Sequence, residues 1–392
     1  MSTGARPLPT PVEQPRSGGA HPESPGGVAS CKCSDDDRRV RPPGRTNDDQ
    51  SGRAERLTPG SLEALKPYGW NDRVSALFAG HLDSGDYPAR VVRVERIRAM
   101  VAGPAGEHFV ATTAPLAVGD WVLVGGDGAG QPRPRWSSLA RADPDHGVQV
   151  LAANVDLVIV TAPADHANPA RVERELALAW QSEARPLVAV TKADLAPPGL
   201  VEELQARWSG ADVITVSVRD GRGVDEVRQR LAPDLTAVLL GPSGAGKSSL
   251  ANALLDDDRQ AVGEVRSGDG RGRHTTTSRQ LVCLPGGGVL IDTPGLRSLG
   301  LLGATVGVEL AFPDLADLAA QCRFGNCSHT VEPGCAVSAA EQSGRLPPER
   351  LASFRKLQAE ARTDQKRVTP VPDRPQKPRR PKRRSRDADD ED

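Results

Sequence analysis

A glycine-rich segment in the second half of the chain has the residue types and spacing of a phosphate-binding loop. It fits the pattern G-x-x-x-x-G-K-[ST] and consists of Gly241, Pro242, Ser243, Gly244, Ala245, Gly246, Lys247, Ser248 and Ser249. Glycine accepts a positive φ, so successive backbone N–H groups can turn inward around a β-phosphate. We expect Lys247 to bridge the β- and γ-phosphates and the Ser248 hydroxyl to bind Mg²⁺. An apolar strand (237–240) precedes this loop and a helix (248–255) follows it, so the helix N-terminus would face the anion.

A second short segment predicts which base is bound. It reads Thr191, Lys192, Ala193 and Asp194, the [NT]-K-x-D pattern, and follows a predicted strand (187–190). The Asp194 carboxylate can accept from guanine N1–H and from the exocyclic amine, a donor pair that adenine lacks. Lys192 can lay its aliphatic stem along the base. Ser217 and Val218 end the next predicted strand, where a backbone amide would contact guanine O6. The sequence therefore predicts GTP and disfavours a kinase or ATPase.

Two further segments are candidates for switches that sense the γ-phosphate. The segment 292–295 follows a predicted strand and matches D-x-x-G. Asp292 would reach Mg²⁺ through water, and the Gly295 amide would sense the γ-phosphate. Upstream, a run of threonines offers a hydroxyl that would close onto Mg²⁺, with Thr276 slightly favoured over Thr275.

The catalytic group is not fixed by these motifs. Leu296 stands where many GTPases have the glutamine that orients the attacking water, and an apolar side chain cannot position water. His274, within the first switch, is the local candidate. Simple solvent exposure of a loop histidine is an alternative of nearly equal weight.

A cluster near the C-terminus has the residue types of a metal site. Cys322, Cys327, His329 and Cys335 have the spacing C-x₄-C-x-H-x₅-C. Three thiolates and one imidazole suit a closed tetrahedral Zn²⁺ site with no open position, so the predicted role is structural. Cys283 lies in an apolar strand and is predicted to be a core residue. Two more cysteines, at 31 and 33, lack further ligands and are predicted to be idle thiols.

The elements that must position these residues divide the chain into parts. Strands and helices alternate from 155 onward, which indicates parallel strands with crossover helices. Before them, short β-branched runs at 89–97, 108–113 and 119–124 are separated by Gly and Pro turns, as in a small barrel. After the cluster, an amphipathic helix is predicted to begin near Pro348.

Composition restricts the class of protein. Lys and Arg number 50 against 51 Asp and Glu, a net charge of -1, so any surface that binds nucleic acid must be local. A basic tract at 374–386, followed by acidic residues, could serve as an electrostatic arm for RNA or be a solvated tail. No apolar run approaches a membrane span, and the N-terminus has no secretory apolar segment. We expect a cytoplasmic protein with no membrane partner.

The order of the motifs is the reverse of that in ordinary GTPases, because the base-recognition motifs precede the phosphate-binding loop and switches. A circular permutation keeps every strand pairing when the original termini were close. This order, with a barrel before it and a Cys/His segment after it, resembles the family of ribosome small-subunit-dependent GTPases RsgA (YjeQ or YloQ). The matching segments are 119–122, 153–156, 191–194, 241–249, 272–277, 292–295 and the cluster from Cys322, within roughly 59–362.

The resemblance implies an α/β fold: a circularly permuted P-loop GTPase domain with a Ras-like sheet, an N-terminal OB-fold β-barrel and a C-terminal α-helical zinc-binding domain. The expected boundaries are a disordered tail at 1–57, a helical lead-in with the OB-fold at 58–145, the GTPase domain at 146–301, the zinc-binding domain at 302–362, and a disordered basic and acidic tail at 363–392. Thr191 replaces the usual Asn and Val218 the usual Ala.

The resemblance also implies hydrolysis of GTP to GDP in late maturation of the 30S subunit, stimulated by that subunit. The family's suspected catalytic switch histidine falls on His274. The expected partners are GTP and GDP, the 30S subunit and 16S rRNA, the expected cofactors are one Zn²⁺ and Mg²⁺ with GTP, and the chain is expected to be monomeric. A non-catalytic RNA-binding protein switched by GTP is the alternative that Leu296 leaves open.

Overall fold

The computed structural model describes residues 59–82, 85–95, 97–112, 114–143, 147–231, 233–256, 279–292, 299–302 and 304–368. Most of both predicted tails lies outside these ranges, as do His274, Thr276 and Gly295. What the sequence predicts for those three residues therefore stays a prediction.

The described residues form strands and helices in close agreement with the predicted alternation. The strands are β1 (Tyr87–Val94), β2 (Arg98–Gly103), β3 (Gly106–Thr112), β4 (Trp121–Val124), β5 (Ala129–Pro132), β6 (Ser138–Asp143), β7 (Gly147–Ala153), β8 (Leu157–Pro163), β9 (Arg185–Thr191), β10 (Asp212–Thr215), β11 (Thr236–Leu240), β12 (Gln280–Cys283) and β13 (Val289–Asp292). The α-helices are α1 (Pro59–Glu63), α2 (Asp72–Ala76), α3 (Pro169–Gln181), α4 (Leu200–Arg207), α5 (Val224–Leu231), α6 (Lys247–Leu255), α7 (Thr305–Ala311), α8 (Pro313–Ala319), α9 (Ala336–Gln342) and α10 (Pro348–Val368).

The first five strands form a small barrel. They are ordered β1-β2-β3-β5-β4, and β4 pairs back onto β1 with Tyr87 opposite Val124. Valines on alternate positions, such as Val91, Val101 and Val122, fill its interior. The sequence predicted three of these strands; β2 and β5 were missed because they have few β-branched residues, with Val101 alone in β2 and none in β5.

The next part is a parallel sheet flanked by helices. The strands run β10-β9-β8-β11-β13 in parallel, with β12 antiparallel beside β13. Every residue of β8 is buried, as expected for a strand covered on both faces. Helix α3 follows β8, and its N-terminus is set by Asn168, whose side chain accepts from the Arg171 amide, and by Pro169 in the first turn.

A buried arginine ties the barrel to this sheet. Arg90 of β1 is 1% exposed and donates to the Tyr68 carbonyl and, at 2.7 Å, to the Thr236 hydroxyl at the start of β11. Its guanidinium also lies over the Trp121 ring, 5.1 Å from the centroid. Burial lowers the pKa of Arg90 to about 10, so the group stays charged at neutral pH.

The helices after the sheet pack against α3. A Cβ on Gly307 of α7 would lie 2.4 Å from the Ala177 carbonyl oxygen, so α3 and α7 approach more closely than any other residue would allow. Helix α10 buries Leu351, Phe354 and Leu357 in the same core. None of the helices in the described ranges combines the length and apolarity that a membrane crossing requires.

Candidate functional site

The topology brings the predicted nucleotide-binding segments to one edge of the sheet. Strand β8 lies between the parallel strands β9 and β11. The base segment begins where β9 ends and the phosphate loop begins where β11 ends, so the two lie on either side of the end of β8. The Thr191 hydroxyl donates to the Ala245 carbonyl at 2.8 Å, which joins the base segment to the phosphate loop directly. Residues more than fifty positions apart thus meet where open α/β sheets bind ligands.

The phosphate loop has the backbone that the motif requires. Gly241 has φ +144, and a Cβ there would lie 2.0 Å from the Thr161 hydroxyl oxygen, so only glycine fits. Gly246 has φ +80 and caps α6 without a side-chain hydrogen bond. The first-turn amides of α6, including that of Ser248, are therefore positioned for an anion.

The Lys247 side chain contacts the start of this loop. Its Nζ donates to the carbonyls of Gly241 at 2.8 Å and Pro242 at 2.5 Å. Asp292 lies at the end of the neighbouring strand β13, where the positive charge of Lys247 acts on its carboxylate. Burial raises the pKa of Asp292, and the Lys247 charge acts in the opposite direction. A bound phosphate would compete with the loop carbonyls for the ammonium group.

Hydrogen bonds to neighbouring loops hold the base segment, residues 191–194, in place. The Ser217 hydroxyl donates to Asp194 Oδ1 at 3.0 Å, and the Ala193 amide donates to the Val216 carbonyl at 3.1 Å. Lys192 adopts a left-handed conformation, φ +54, and its Nζ lies 3.0 Å from Asp165 Oδ2. The sequence prediction named Lys192, Ala193, Asp194 and Ser217, but not Val216 or Asp165, which belong to no motif.

The four cysteine and histidine side chains converge as predicted. Their ligand atoms all lie within 4.8 Å of one another. The Sγ atoms of Cys322 and Cys335 are 3.9 Å apart, and His329 Nδ1 is 3.6 Å from each of them. Tetrahedral bonds of about 2.3 Å to sulfur and about 2.0 Å to nitrogen place such atoms about 3.6 to 3.8 Å apart. The cluster therefore fits zinc, with Nδ1 as the histidine ligand.

The surroundings hold the cluster in this shape. His329 is left-handed, φ +58, and Arg355 of α10 donates to its carbonyl. Burial opposes ionisation of Cys335, but hydrogen bonds from Ser338 at the start of α9 lower its pKa to about 6. Cys335 is thus readily deprotonated for a metal.

The remaining described cysteine is separate from this cluster. Cys283 lies in β12 and packs against the main core. Burial raises the pKa of its thiol to about 11, so it is not a reactive thiolate at neutral pH. The structure agrees with its prediction as a core residue.

Comparisons with known proteins identify relatives over most of the chain. The family model of RsgA GTPase matches residues 133–302. The chain is 46% identical over 330 residues to "Small ribosomal subunit biogenesis GTPase RsgA" of Streptomyces coelicolor, covering 77% of this chain and 89% of the relative. It is 41% identical over 339 residues to the protein of the same name from Opitutus terrae, covering 78% and 92%.

Solved structures share the fold. YjeQ from Thermotoga maritima matches with a TM-score of 0.53 at 24% identity, covering 70% of this chain and 98% of that chain. YloQ, described as a circularly permuted GTPase, matches with a TM-score of 0.50 at 21% identity, covering 71% and 96%. The predicted fold class is confirmed: an OB-like five-stranded barrel, a circularly permuted GTPase and a C-terminal helical part with a Cys₃His cluster.

Proposed function

The chain belongs to the RsgA family of GTPases, and on this premise we propose that it hydrolyses GTP during late maturation of the 30S subunit, in contact with 16S rRNA in the cytoplasm. One observation supports the nucleotide site above all: the Thr191 hydroxyl bonds the phosphate loop at Ala245, 2.8 Å away. This contact joins base recognition and phosphate binding although their order along the chain is reversed.

Separate groups of residues would bind the base, the phosphates and the Mg²⁺ ion. Asp194 would accept from guanine, with Lys192 along the base and the Val218 amide on O6. Lys247 and the α6 amides would hold the phosphates, because a cation and a helix N-terminus both favour negative charge. The Ser248 hydroxyl would bind Mg²⁺, Asp292 would reach it through water, and the sequence adds Thr276 as its partner and Gly295 as the γ-phosphate sensor.

In the reaction a water attacks the γ-phosphorus, the bond from that phosphorus to the β–γ bridging oxygen breaks, and GDP leaves, while charge develops on the phosphoryl oxygens. Lys247 would leave its two loop carbonyls to meet that charge. Mg²⁺, when bound with GTP, supplies further neutralisation of the β- and γ-oxygens. These groups stabilise charge but do not place the water.

We further propose that the Cys₃His cluster holds one structural Zn²⁺. Four protein ligands leave no position for a substrate. The ion would fix the segment 322–335 against α9 and α10, whose Arg355 already bonds His329. This end of the molecule would then be a rigid contact surface for rRNA.

The experiment that tests the function is multiple-turnover GTP hydrolysis with and without 30S subunits. We expect slow turnover by the free protein, a marked increase with 30S subunits, and no competition by ATP. Nucleotide-dependent binding to 30S subunits without any increase in turnover would favour the alternative, a non-catalytic GTP-switched RNA-binding protein.

We propose His274 as the group that places the attacking water once the 30S subunit is bound. His274→Ala should then lower the stimulated rate on the order of a hundredfold, as for other positioned acid–base groups. GTP affinity should change little, because the imidazole is not among the base or phosphate-loop contacts. Undiminished stimulated turnover in this variant would place the catalytic group elsewhere, for example on the ribosome.

A further inference from the structure

An ion pair between the motif residue Lys192 and Asp165, which belongs to no motif, lies at the base end of the nucleotide site. Lys192 follows β9 directly, and its Nζ lies 3.0 Å from Oδ2 of Asp165. Its backbone is held in the left-handed region, φ +54, by hydrogen bonds from the Leu195 amide to its carbonyl and from the Ala193 amide to the Val216 carbonyl. A non-glycine residue persists there only where its surroundings determine it.

The position of Asp165 follows from the sheet. It comes two residues after β8, and the Ala164 amide donates to the Thr191 carbonyl at 2.8 Å, so the β8 loop is bonded to the base segment. Because β8 separates β9 from β11, a nucleotide that reaches from Asp194 to Lys247 must cross the end of β8. The ribose, which joins base and phosphates, would pass over this loop.

The Asp165 carboxylate is fully engaged before any ligand binds. Oδ2 accepts from Lys192, and Oδ1 lies 2.5 Å from Nδ1 of His166. Burial acts against ionisation, but the Lys192 hydrogen bond and charge lower the pKa of Asp165, which keeps it anionic at neutral pH. The Lys192 and Asp165 side chains are 33% and 31% exposed, and pairs this exposed add little to folding stability.

We propose that Asp165 is a positioning residue for guanine nucleotides: it holds Lys192 so that the lysine stem forms one face of the base pocket and its ammonium points away from Asp194. The inference rests on the proposed function, since it assumes that 191–194 binds guanine.

Two physical effects support this role. A lysine side chain loses rotamer entropy when it is fixed, and Asp165 fixes it before the nucleotide arrives. Without Asp165, the one carboxylate left to Lys192 within the segment 191–194 is Asp194, whose oxygens guanine needs. A Lys192–Asp194 contact would then compete directly with the base.

The experiment compares Asp165→Ala and Asp165→Asn with Asp225→Ala, a control that removes another exposed carboxylate paired with an arginine, Arg228, at 2.7 Å. Affinity is measured with GDP and IDP carrying a fluorescent mant group, and melting temperature is measured in parallel. We expect Asp165→Ala to weaken GDP binding roughly tenfold, an effect of the size usual for a charged hydrogen bond, with Asp165→Asn intermediate. Melting temperature should be unchanged, and the control should match the unaltered protein.

A double-mutant cycle with Lys192→Met gives the decisive readout. If Asp165 acts through Lys192, Asp165→Ala should have no further effect on GDP affinity in the Lys192→Met background. Equal losses in both backgrounds, or no loss in either, would overturn the proposal. If Asp165→Ala lowers the melting temperature, the same double-mutant cycle is measured with Asp165→Asn in its place.

The proposed function fails in a different way. If Asp194→Asn leaves GDP affinity and the preference for GDP over IDP intact, then 191–194 does not bind guanine at all. If Asp194→Asn abolishes GDP binding while Asp165→Ala does not weaken it, only the positioning role is wrong.

Discussion

The Cys₃His cluster and the nucleotide site differ in what their key side chains contact before any ligand binds. In the cluster, all four ligand atoms already lie within 4.8 Å of one another, and those of Cys322, His329 and Cys335 lie 3.6 to 3.9 Å apart, close to the spacing that a tetrahedral ion needs. In the nucleotide site, the key groups are engaged with the protein itself: Lys247 with two loop carbonyls and Lys192 with Asp165. The cluster is thus close to a metal-binding geometry without any rearrangement, whereas a bound phosphate must displace the two Lys247 contacts, which can re-form when it leaves.

The largest expected effect comes from breaking the cluster. Cys327→Ser or Cys335→Ser should abolish zinc retention, because structural zinc contributes on the order of 10 kcal/mol to the folding of such sites. The segment from 322 should become protease-sensitive, while GDP binding by the sheet persists. Metal analysis and limited proteolysis of full-length protein check this.

Cys283→Ser is the matched control, since Cys283 lies in β12 away from the cluster. It should retain one zinc per chain. Protein purified without chelator that contains no zinc would contradict the assignment of the cluster.

A site can be predicted from the sequence when the residues that form it lie close together along the chain. The four cluster ligands lie within fourteen residues, so their spacing alone indicated the site. The phosphate loop and base segment were likewise predicted, because each is a local motif between a strand and a helix. Asp165 was not, since its role depends on β8 pairing with β9, a register that no motif encodes.

The same limit applies to buried charges. Glu173 and Arg350 are 177 positions apart in the sequence, and each resembles an ordinary surface residue of an amphipathic helix. The fold places both side chains at 5% exposure or less. Only tertiary packing reveals such a pair.

The second prediction tests whether the two regions are mechanically joined. Arg350 of α10 bonds Glu173 of α3 at 2.8 Å and Asp314 of α8 at 2.7 Å, and Arg207 also bonds Glu173. Arg350→Met should cost about 3 kcal/mol of unfolding free energy, because it leaves part of a buried ion network uncompensated. Unlike the cysteine variants, it should destabilise the sheet and the C-terminal helices together.

Chemical denaturation followed by tryptophan fluorescence and by zinc release measures this. Arg345→Met is the control, since the Arg345 guanidinium is exposed and bonds only Ser343 among described side chains, at 3.4 Å. A loss no larger than that of the control would show that the network does not join the two regions.

The third prediction sharpens the assignment of the base pocket. Asp194→Asn replaces an acceptor facing guanine with a donor, so affinity for GTP should fall by at least about a hundredfold and preference should shift toward xanthosine triphosphate. Zinc content should not change. Asp212→Asn, an exposed carboxylate paired with Arg230, is the control. Full GTP preference in Asp194→Asn would show that 191–194 is not the base segment.

The smallest expected effect concerns the support of Asp194. The buried Ser217 hydroxyl donates to Asp194 Oδ1 at 3.0 Å, while a second constraint, the Ala193 amide on Val216, holds the backbone. Ser217→Ala removes the first and leaves the second, and a typical intramolecular hydrogen bond contributes about 1 kcal/mol. GDP affinity should therefore fall about fivefold with turnover at saturating GTP unchanged. Ser343→Ala, which removes a hydroxyl bonded to the Ala340 carbonyl, should leave affinity unaffected. A loss as large as that of Asp194→Asn would mean that Ser217 contacts the base itself rather than supporting Asp194.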